Sequence, residues 1–146
     1  MSARAAQDPK EARMPLKLLL TAFFMAHAAI HFGFVSPAPA PAAGAPPWPF
    51  DLTRSWLLTP LGMDGSLTRT LGVGLLLVLS LGYAAATLVM MGILPERLFA
   101  ASIIAGASAS LLLLALFFHP WLVLGVVIDL ALLYLVLGTS WAPQRV

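Results

Sequence analysis

Long apolar runs alternate with short polar breaks along this chain. A helix needs about 20 apolar residues to cross the hydrocarbon core of a bilayer. Four runs satisfy this, and we predict spans at residues 16–35, 71–94, 98–118 and 121–138. The breaks between the last three are tight, so these helices should be antiparallel neighbours. The pattern predicts an all-α polytopic membrane protein, a bundle of four transmembrane helices.

The segments outside the spans differ in character. Residues 1–15 are polar and small, and we expect a cytoplasmic tail there, followed by a single membrane domain over residues 16–146. Residues 36–49 read SPAPAPAAGAPPWP and begin a loop, 36–70, after the first helix. Proline at this density favours extended polyproline segments over a packed core.

Composition supports lipid as the solvent of this chain. Hydrophobic residues make up 60% of it and charged residues 10%, whereas soluble domains carry about 25% charged residues. The chain has no cysteine, which excludes disulfides, iron–sulfur clusters and cysteine zinc sites. A net charge of +2 with no basic recognition motif argues against nucleic-acid binding.

The basic residues predict the orientation. With the N-terminus inside, the inner side holds six of them and the outer loop holds only Arg54 and Arg69. The six are Arg4, Lys10, Arg13, Lys17, Arg97 and Arg145. By the positive-inside rule both termini lie in the cytoplasm. The Pro-rich loop then faces outward.

An alternative concerns the first span. A basic start, an apolar stretch and Ala26-His27-Ala28 resemble a signal peptide with an A-x-A cleavage site. The apolar run continues past that site to Val35, which favours a retained helix. Cleavage would leave three spans in the same orientation and would remove His27.

Four ionisable residues lie in the spans or at their ends: His27, His31, His119 and Asp129. Such groups are costly in lipid and commonly mark function. His27 and His31 are spaced i, i+4 and so share one helix face. His119 lies at the outer junction of the last two spans. Asp129 follows Pro120 by nine residues, about 13 Å deeper along a helix, at a depth similar to that of His27.

These four residues allow several readings. A metal could be bound by His27, His31, His119 and Asp129, with Trp48 and Trp56 on a loop that covers the site. A haem could take His27 and His119 as axial ligands. The H-E-x-x-H pattern of metalloproteases is absent, because Ala28, Ala29 and Ile30 separate the first two histidines. The structural alternative is a His27–Asp129 pair that fixes helix register.

Hydroxyl and small residues mark two helix faces. Ser80, Tyr83 and Thr87 share one face of the second span and could line a polar cavity, although such hydroxyls usually bond neighbouring helices or carbonyls. In the third span Ser102, Gly106 and Ser110 are spaced i, i+4, i+8. We interpret that second stripe as a helix–helix contact face.

Two stretches, WPFDLTRSWLL (48–58) and SLLLLALFFHPWLVLGVVIDLALL (110–133), resemble segments of uncharacterised small four-helix bacterial membrane proteins that are loosely DoxX-like. The resemblance covers about half of the chain. It implies a bacterial inner membrane and brings no catalytic residues with it.

Three functions are consistent with the sequence. The first, which we favour, is an accessory or structural subunit that associates with other membrane proteins or with itself and has a polar His/Asp site in the outer half of the bundle. The second is a haem- or metal-binding, redox-linked membrane protein. The third is a proton-coupled carrier in which Asp129 and His27 titrate.

Overall fold

The computed structural model describes residues 9–40, 43–44, 48–139 and 141. The α-helices are α1 (Pro9–His31), α2 (Gly65–Met90), α3 (Leu98–Leu116) and α4 (Val123–Gly138). Short 3-10 helices, Phe32–Val35 and Pro120–Leu122, extend α1 and precede α4. These described ranges contain no strand, and four helical segments are long and apolar enough to cross a membrane. The predicted all-α bundle of four membrane helices is confirmed.

The observed helix ends differ from the predicted span boundaries, and at α2 the capping residues explain the difference. The first helix begins at Pro9, inside the segment expected to be a tail, and the other predicted tail residues lie outside the described part. The second helix begins at Gly65 instead of residue 71. Its N-cap is Asp64, whose Oδ1 accepts from the N–H groups of Ser66 (2.7 Å) and Leu67 (3.0 Å). These donors satisfy N–H groups that a helix start leaves free.

Donors to the Asp64 carboxylate also affect its ionisation. The Ser66 hydroxyl, followed by the two backbone N–H groups, holds the pKa of this carboxyl below its usual value. Hydrogen bonds of this kind favour the charged form. The cap is therefore fully formed at neutral pH.

The second helix ends at Met90, whereas the predicted span extended to residue 94. The glycine that follows, Gly92, terminates the helix. Gly92 has a φ of 76°, which glycine adopts without the steric cost that other residues meet. Its N–H donates to the Val89 carbonyl and the Ile93 N–H donates to the Leu88 carbonyl, both at 2.9 Å. This pair of bonds is a Schellman motif.

Close backbone contact joins α2 to α3, the pair of helices with the most extensive interface. A Cβ atom added at Gly82 would lie 2.6 Å from the Gly106 nitrogen and 2.8 Å from the Ser102 carbonyl oxygen. Only glycine permits this approach, which is how small residues pack helices in lipid. The predicted contact stripe on α3 is therefore used inside the chain.

Helix order places α1 against α2 and α4 against α3. The outer helices α1 and α4 contact each other much less than these neighbours do. These weak contacts leave a gap between α1 and α4.

The loop after α1 closes one end of the bundle, which we call the loop end. Ser55 Oγ donates to the Leu116 carbonyl (2.5 Å) and Trp56 Nε1 donates to the Ala115 carbonyl (2.7 Å). These two carbonyls belong to the last turn of α3, where no intrahelical partner exists. Leu52, 3% exposed, packs beside Gly72 and Phe117. The loop is thus bonded to the helices it covers.

Candidate functional site

Every helix contributes a polar side chain to one buried cluster. The cluster consists of His27 and His31 from α1, Tyr83 from α2, Ser110 from α3 and Asp129 from α4. All five are buried, with exposed fractions of 0% for Tyr83, Ser110 and Asp129, 4% for His27 and 3% for His31. The i, i+4 spacing sets both histidines on the inner face of α1. We call these five residues the polar cluster.

Asp129 is the centre of the polar cluster. Its Oδ1 lies 2.8 Å from His27 Nε2 and accepts a hydrogen bond from the Tyr83 hydroxyl. Its Oδ2 lies 2.5 Å from Ser110 Oγ. The carboxyl group therefore has partners on the three other helices. Such pairing is what a buried acid in lipid requires, because removing a partner leaves a polar group without solvent or hydrogen bond.

His31 is oriented by the backbone of its own helix. Its Nδ1 lies 2.9 Å from the His27 carbonyl oxygen. A carbonyl only accepts, so Nδ1 carries a proton and donates it. Nε2 lies 2.8 Å from Ser110 Oγ. In the neutral ring Nε2 is an acceptor that faces Ser110, and the one proton of that hydroxyl can go to Nε2 or to Asp129 Oδ2 but not to both at once.

Aromatic packing fixes the His27 ring. It meets Tyr83 edge-on at 5.0 Å between centroids and His31 edge-on at 5.1 Å, and it stacks on Phe23 at 5.9 Å. A ring held on three sides has little rotational freedom. His27 Nε2 is thereby kept next to the carboxylate.

A cavity of about 180 Å³ adjoins the two histidines. It lies in the gap between α1 and α4 at the loop end, and the remaining wall is apolar. Phe34 and Phe50 meet edge-on at 5.0 Å on the loop side. Gly125, one helical turn before Asp129, also lines the cavity.

The structure does not bring His119 to the polar cluster. It caps the 3-10 turn before α4, where its Nδ1 accepts from the Trp121 N–H at 3.3 Å. Within the described ranges, the group of potential metal ligands with atoms within 4.8 Å of one another is His27, His31 and Asp129. The position of His119 therefore gives no support to its expected roles as a metal ligand and as an axial haem ligand.

Of the three hydroxyls expected to line a polar cavity, Tyr83 reaches the polar cluster. Ser80 and Thr87 instead line an apolar groove of about 720 Å³ between α1 and α2. Their hydroxyl oxygens are buried and have no hydrogen-bond partner among the described residues. The three hydroxyls on this face of α2 therefore lie in two places, Tyr83 in the polar cluster and Ser80 and Thr87 along the groove.

Sequence reasoning missed Ser110, which it assigned to packing alone. A depth comparison could have found it: Ser110 lies six residues before Leu116, about 9 Å from the end of α3. His31 and Asp129 lie near the same end. A hydroxyl at the depth of buried ionisable groups is a candidate partner for them.

The polar cluster suits a metal ion in its donor set. Two imidazole nitrogens and one carboxylate oxygen form the ligand set of zinc and of non-haem iron sites. Around a tetrahedral ion with bonds of about 2.0–2.1 Å, neighbouring ligand atoms lie about 3.3–3.4 Å apart. Here His27 Nε2 and Asp129 Oδ1 are 2.8 Å apart, and all three ligand atoms lie within 4.8 Å of one another. The tetrahedral spacing lies between these two distances.

Comparisons of this chain with models of protein families, with curated proteins and with solved structures found no match. The resemblance to DoxX-like proteins stays a prediction.

Proposed function

We propose that this chain is a membrane protein that binds one divalent first-row transition-metal ion through His27, His31 and Asp129. One observation carries the proposal: the ligand atoms of these three buried residues converge to within 4.8 Å inside a membrane bundle. Ionisable groups at this depth are rare because they are costly. Three ionisable side chains whose ligand atoms converge in one place are best explained by a shared ligand.

The surroundings of the three ligands support the same conclusion. Metal-bound histidines commonly donate their second ring N–H to a carbonyl or carboxylate, which fixes the tautomer. His31 does this with the His27 carbonyl at 2.9 Å. Ser110 and Tyr83 contact the carboxylate in the way second-layer hydrogen bonds orient a metal ligand. With nitrogen and oxygen donors and no thiolate, zinc and ferrous iron fit better than copper(I).

Metal content tests the proposal. The wild-type chain, purified in mild detergent and dialysed against Zn²⁺ or Fe²⁺, is expected to retain about one ion per chain. His31→Ala and Asp129→Asn should weaken binding by about 10- to 100-fold or more, the range seen when the support of a metal site is removed. Inductively coupled plasma mass spectrometry measures the metal after desalting, and circular dichroism confirms that each variant is folded.

His119→Ala is the matched control. It removes an imidazole from the same chain but from outside the polar cluster, so its metal content should equal that of the wild type. Equal metal content in wild type, His31→Ala and Asp129→Asn would contradict the proposal, as would a wild type that retains no metal.

A role as an accessory subunit of a membrane complex is the second candidate, and the groove between α1 and α2 favours it. Two buried hydroxyls without partners, on Ser80 and Thr87, lie along this groove. The groove itself is lined by apolar and small side chains, among them Ala28, Ala29 and Ala84, so a helix of another subunit could pack against it. A larger side chain at Ala84, which lines the groove, should then reduce the size of the native complex on a blue-native gel. Migration of the wild type as a single chain would argue against this role.

The proton-coupled carrier has less support. It needs a polar route to Asp129, and of the three hydroxyls considered for that route only Tyr83 contacts the carboxylate. We further propose that the protein resides in a bacterial inner membrane with both termini inside. The basic residues support this orientation, because Arg97 follows α2 at the end opposite to the loop.

A further inference from the structure

The cavity between α1 and α4 is not explained by the metal ligands alone. Cores of folded proteins are close-packed, with few voids larger than a water molecule. This cavity has a volume of about 180 Å³. An engineered apolar cavity of about 150 Å³ stays dry and binds benzene. The space here is thus of the size of one six-membered ring with a small substituent.

The rim of the cavity faces lipid. Ile30 on α1 and Leu124 on α4 both line it and are 63% and 66% exposed on the outside of the bundle. Both belong to segments that are long and apolar enough to cross a membrane, so we expect their exposed surface to meet lipid near one end of the spans. The weak contact between α1 and α4 leaves this side open.

The loop end of the cavity is closed by buried and stacked side chains. Phe34 (4% exposed) and Leu122 (7% exposed) form this wall. Phe50 packs edge-on against Phe34 at 5.0 Å, and Trp48 packs against Phe50 at 5.2 Å. A molecule that reaches the cavity would come from the bilayer more easily than from water.

The inner wall of the cavity carries the polar side chains of His27 and His31. Trp121, 67% exposed, also lines the cavity and has an indole N–H. Small-molecule sites commonly combine apolar walls with a few convergent polar groups that set orientation. Imidazole rings can donate to a carbonyl or accept from a hydroxyl. The polar end therefore selects a ligand with one such group.

We propose that this cavity binds a lipophilic single-ring molecule that carries one hydroxyl or carbonyl group and enters sideways from the membrane between α1 and α4. The ring occupies the apolar part, and the polar group points to His27 Nδ1, the ring nitrogen that the contact between Nε2 and Asp129 leaves available. This proposal rests on the cavity and not on the metal site, since it requires no ion. If a metal is bound by the same histidines, the ligand lies beside it.

The test uses 4-fluorophenol as the probe and fluorine NMR as the measurement, with the full chain in lipid nanodiscs after treatment with a chelator. Saturable binding of one molecule per chain, above the partition into empty nanodiscs, is the expected result. Fluorobenzene should bind about tenfold more weakly, the equivalent of one lost hydrogen bond. Partition equal to that of empty nanodiscs, or equal affinity for the two probes, would overturn the proposal.

Blocking variants locate the site. Leu124→Trp fills the rim from an exposed position and should weaken 4-fluorophenol binding by about tenfold or more, because it occupies ring-sized space. Leu130→Trp, at a 54% exposed position of the same helix outside the cavity, should bind as the wild type does. Ile30→Trp blocks the same rim from α1 and gives a second measurement if Leu124→Trp misfolds. Unchanged binding in folded rim variants would show that the site lies elsewhere.

The phenol-binding assay uses metal-free protein, so its outcome does not depend on whether the chain binds a metal ion. Metal retention without phenol binding would contradict only the cavity proposal. Phenol binding without metal retention would contradict only the metal proposal.

Discussion

At the scale of the residue, Asp129 determines the character of the polar cluster. Its carboxyl group is fully buried and contacts side chains of α1, α2 and α3. The sequence alone allowed its depth to be matched to that of His27, and this pairing is present at 2.8 Å. Depth arithmetic could not decide whether His31 or His119 also joins this pair, because it contains no information on rotation about each helix axis.

Tyr83→Phe tests how much the hydrogen bonds of this carboxyl group stabilise the bundle. The change removes one hydroxyl that donates to Asp129 and keeps the ring. We expect a loss of about 1–2 kcal/mol in the free energy of unfolding, because the buried carboxyl group would be left with one hydrogen-bond site unfilled. Unfolding in mixed detergent micelles, followed by circular dichroism, measures it.

Tyr134→Phe is the control for that substitution. Tyr134 is 69% exposed, so removal of its hydroxyl should leave the free energy of unfolding unchanged. Equal stabilities of the two variants would mean that the Tyr83 hydroxyl contributes nothing measurable.

At the scale of the element, helix ends and helix contacts follow from single residues. Asp64 starts α2 and Gly92 ends it, and both signals are visible in the sequence. The predicted span at 71–94 missed them because it followed hydrophobicity alone, which reports where lipid lies and not where helical hydrogen bonds begin or stop. The contact stripe on α3 was predicted, whereas its partner Gly82 was not.

Gly82→Ala is expected to destabilise the bundle. Its new methyl group would lie 2.6 Å from the backbone nitrogen of Gly106, and a helix backbone cannot move aside as a side chain can. Overpacking of this kind costs about 1–3 kcal/mol. The same unfolding assay in mixed micelles checks the prediction.

Gly74→Ala, in the same helix, is the matched control. A Cβ atom there would meet nothing within 4 Å, so the change should be neutral or raise stability by about 0.5–1 kcal/mol through helix propensity. If Gly82→Ala proved as stable as Gly74→Ala, the close approach of α2 and α3 would be wrong.

At the scale of the whole molecule, the sequence predicted the class and number of helices because lipid imposes length and hydrophobicity on each of them. It did not predict the loop that bonds to the end of α3 through Ser55 and Trp56. Those bonds join residues about 60 positions apart, and no local pattern encodes such a contact. The orientation in the membrane likewise depends on charge bias alone.

Cysteine labelling tests the orientation, and the absence of native cysteine makes single-cysteine variants clean reporters. In intact bacterial cells, a membrane-impermeant maleimide should label Arg54→Cys in the outer loop. It should leave Glu96→Cys, between α2 and α3, unlabelled until the cells are opened. The reverse pattern would invert the topology and place the polar cluster towards the cytoplasm.

We propose that His27, His31 and Asp129 bind a metal ion, and X-ray absorption spectroscopy of the zinc-loaded wild-type chain detects the ligand atoms themselves. We predict a first shell of nitrogen and oxygen atoms at about 2.0–2.2 Å, together with the outer-shell scattering of two imidazole rings. The imidazole scattering should fall from two rings to one in His31→Ala and stay at two rings in His119→Ala. A first shell of oxygen atoms alone, without imidazole scattering, would contradict the account.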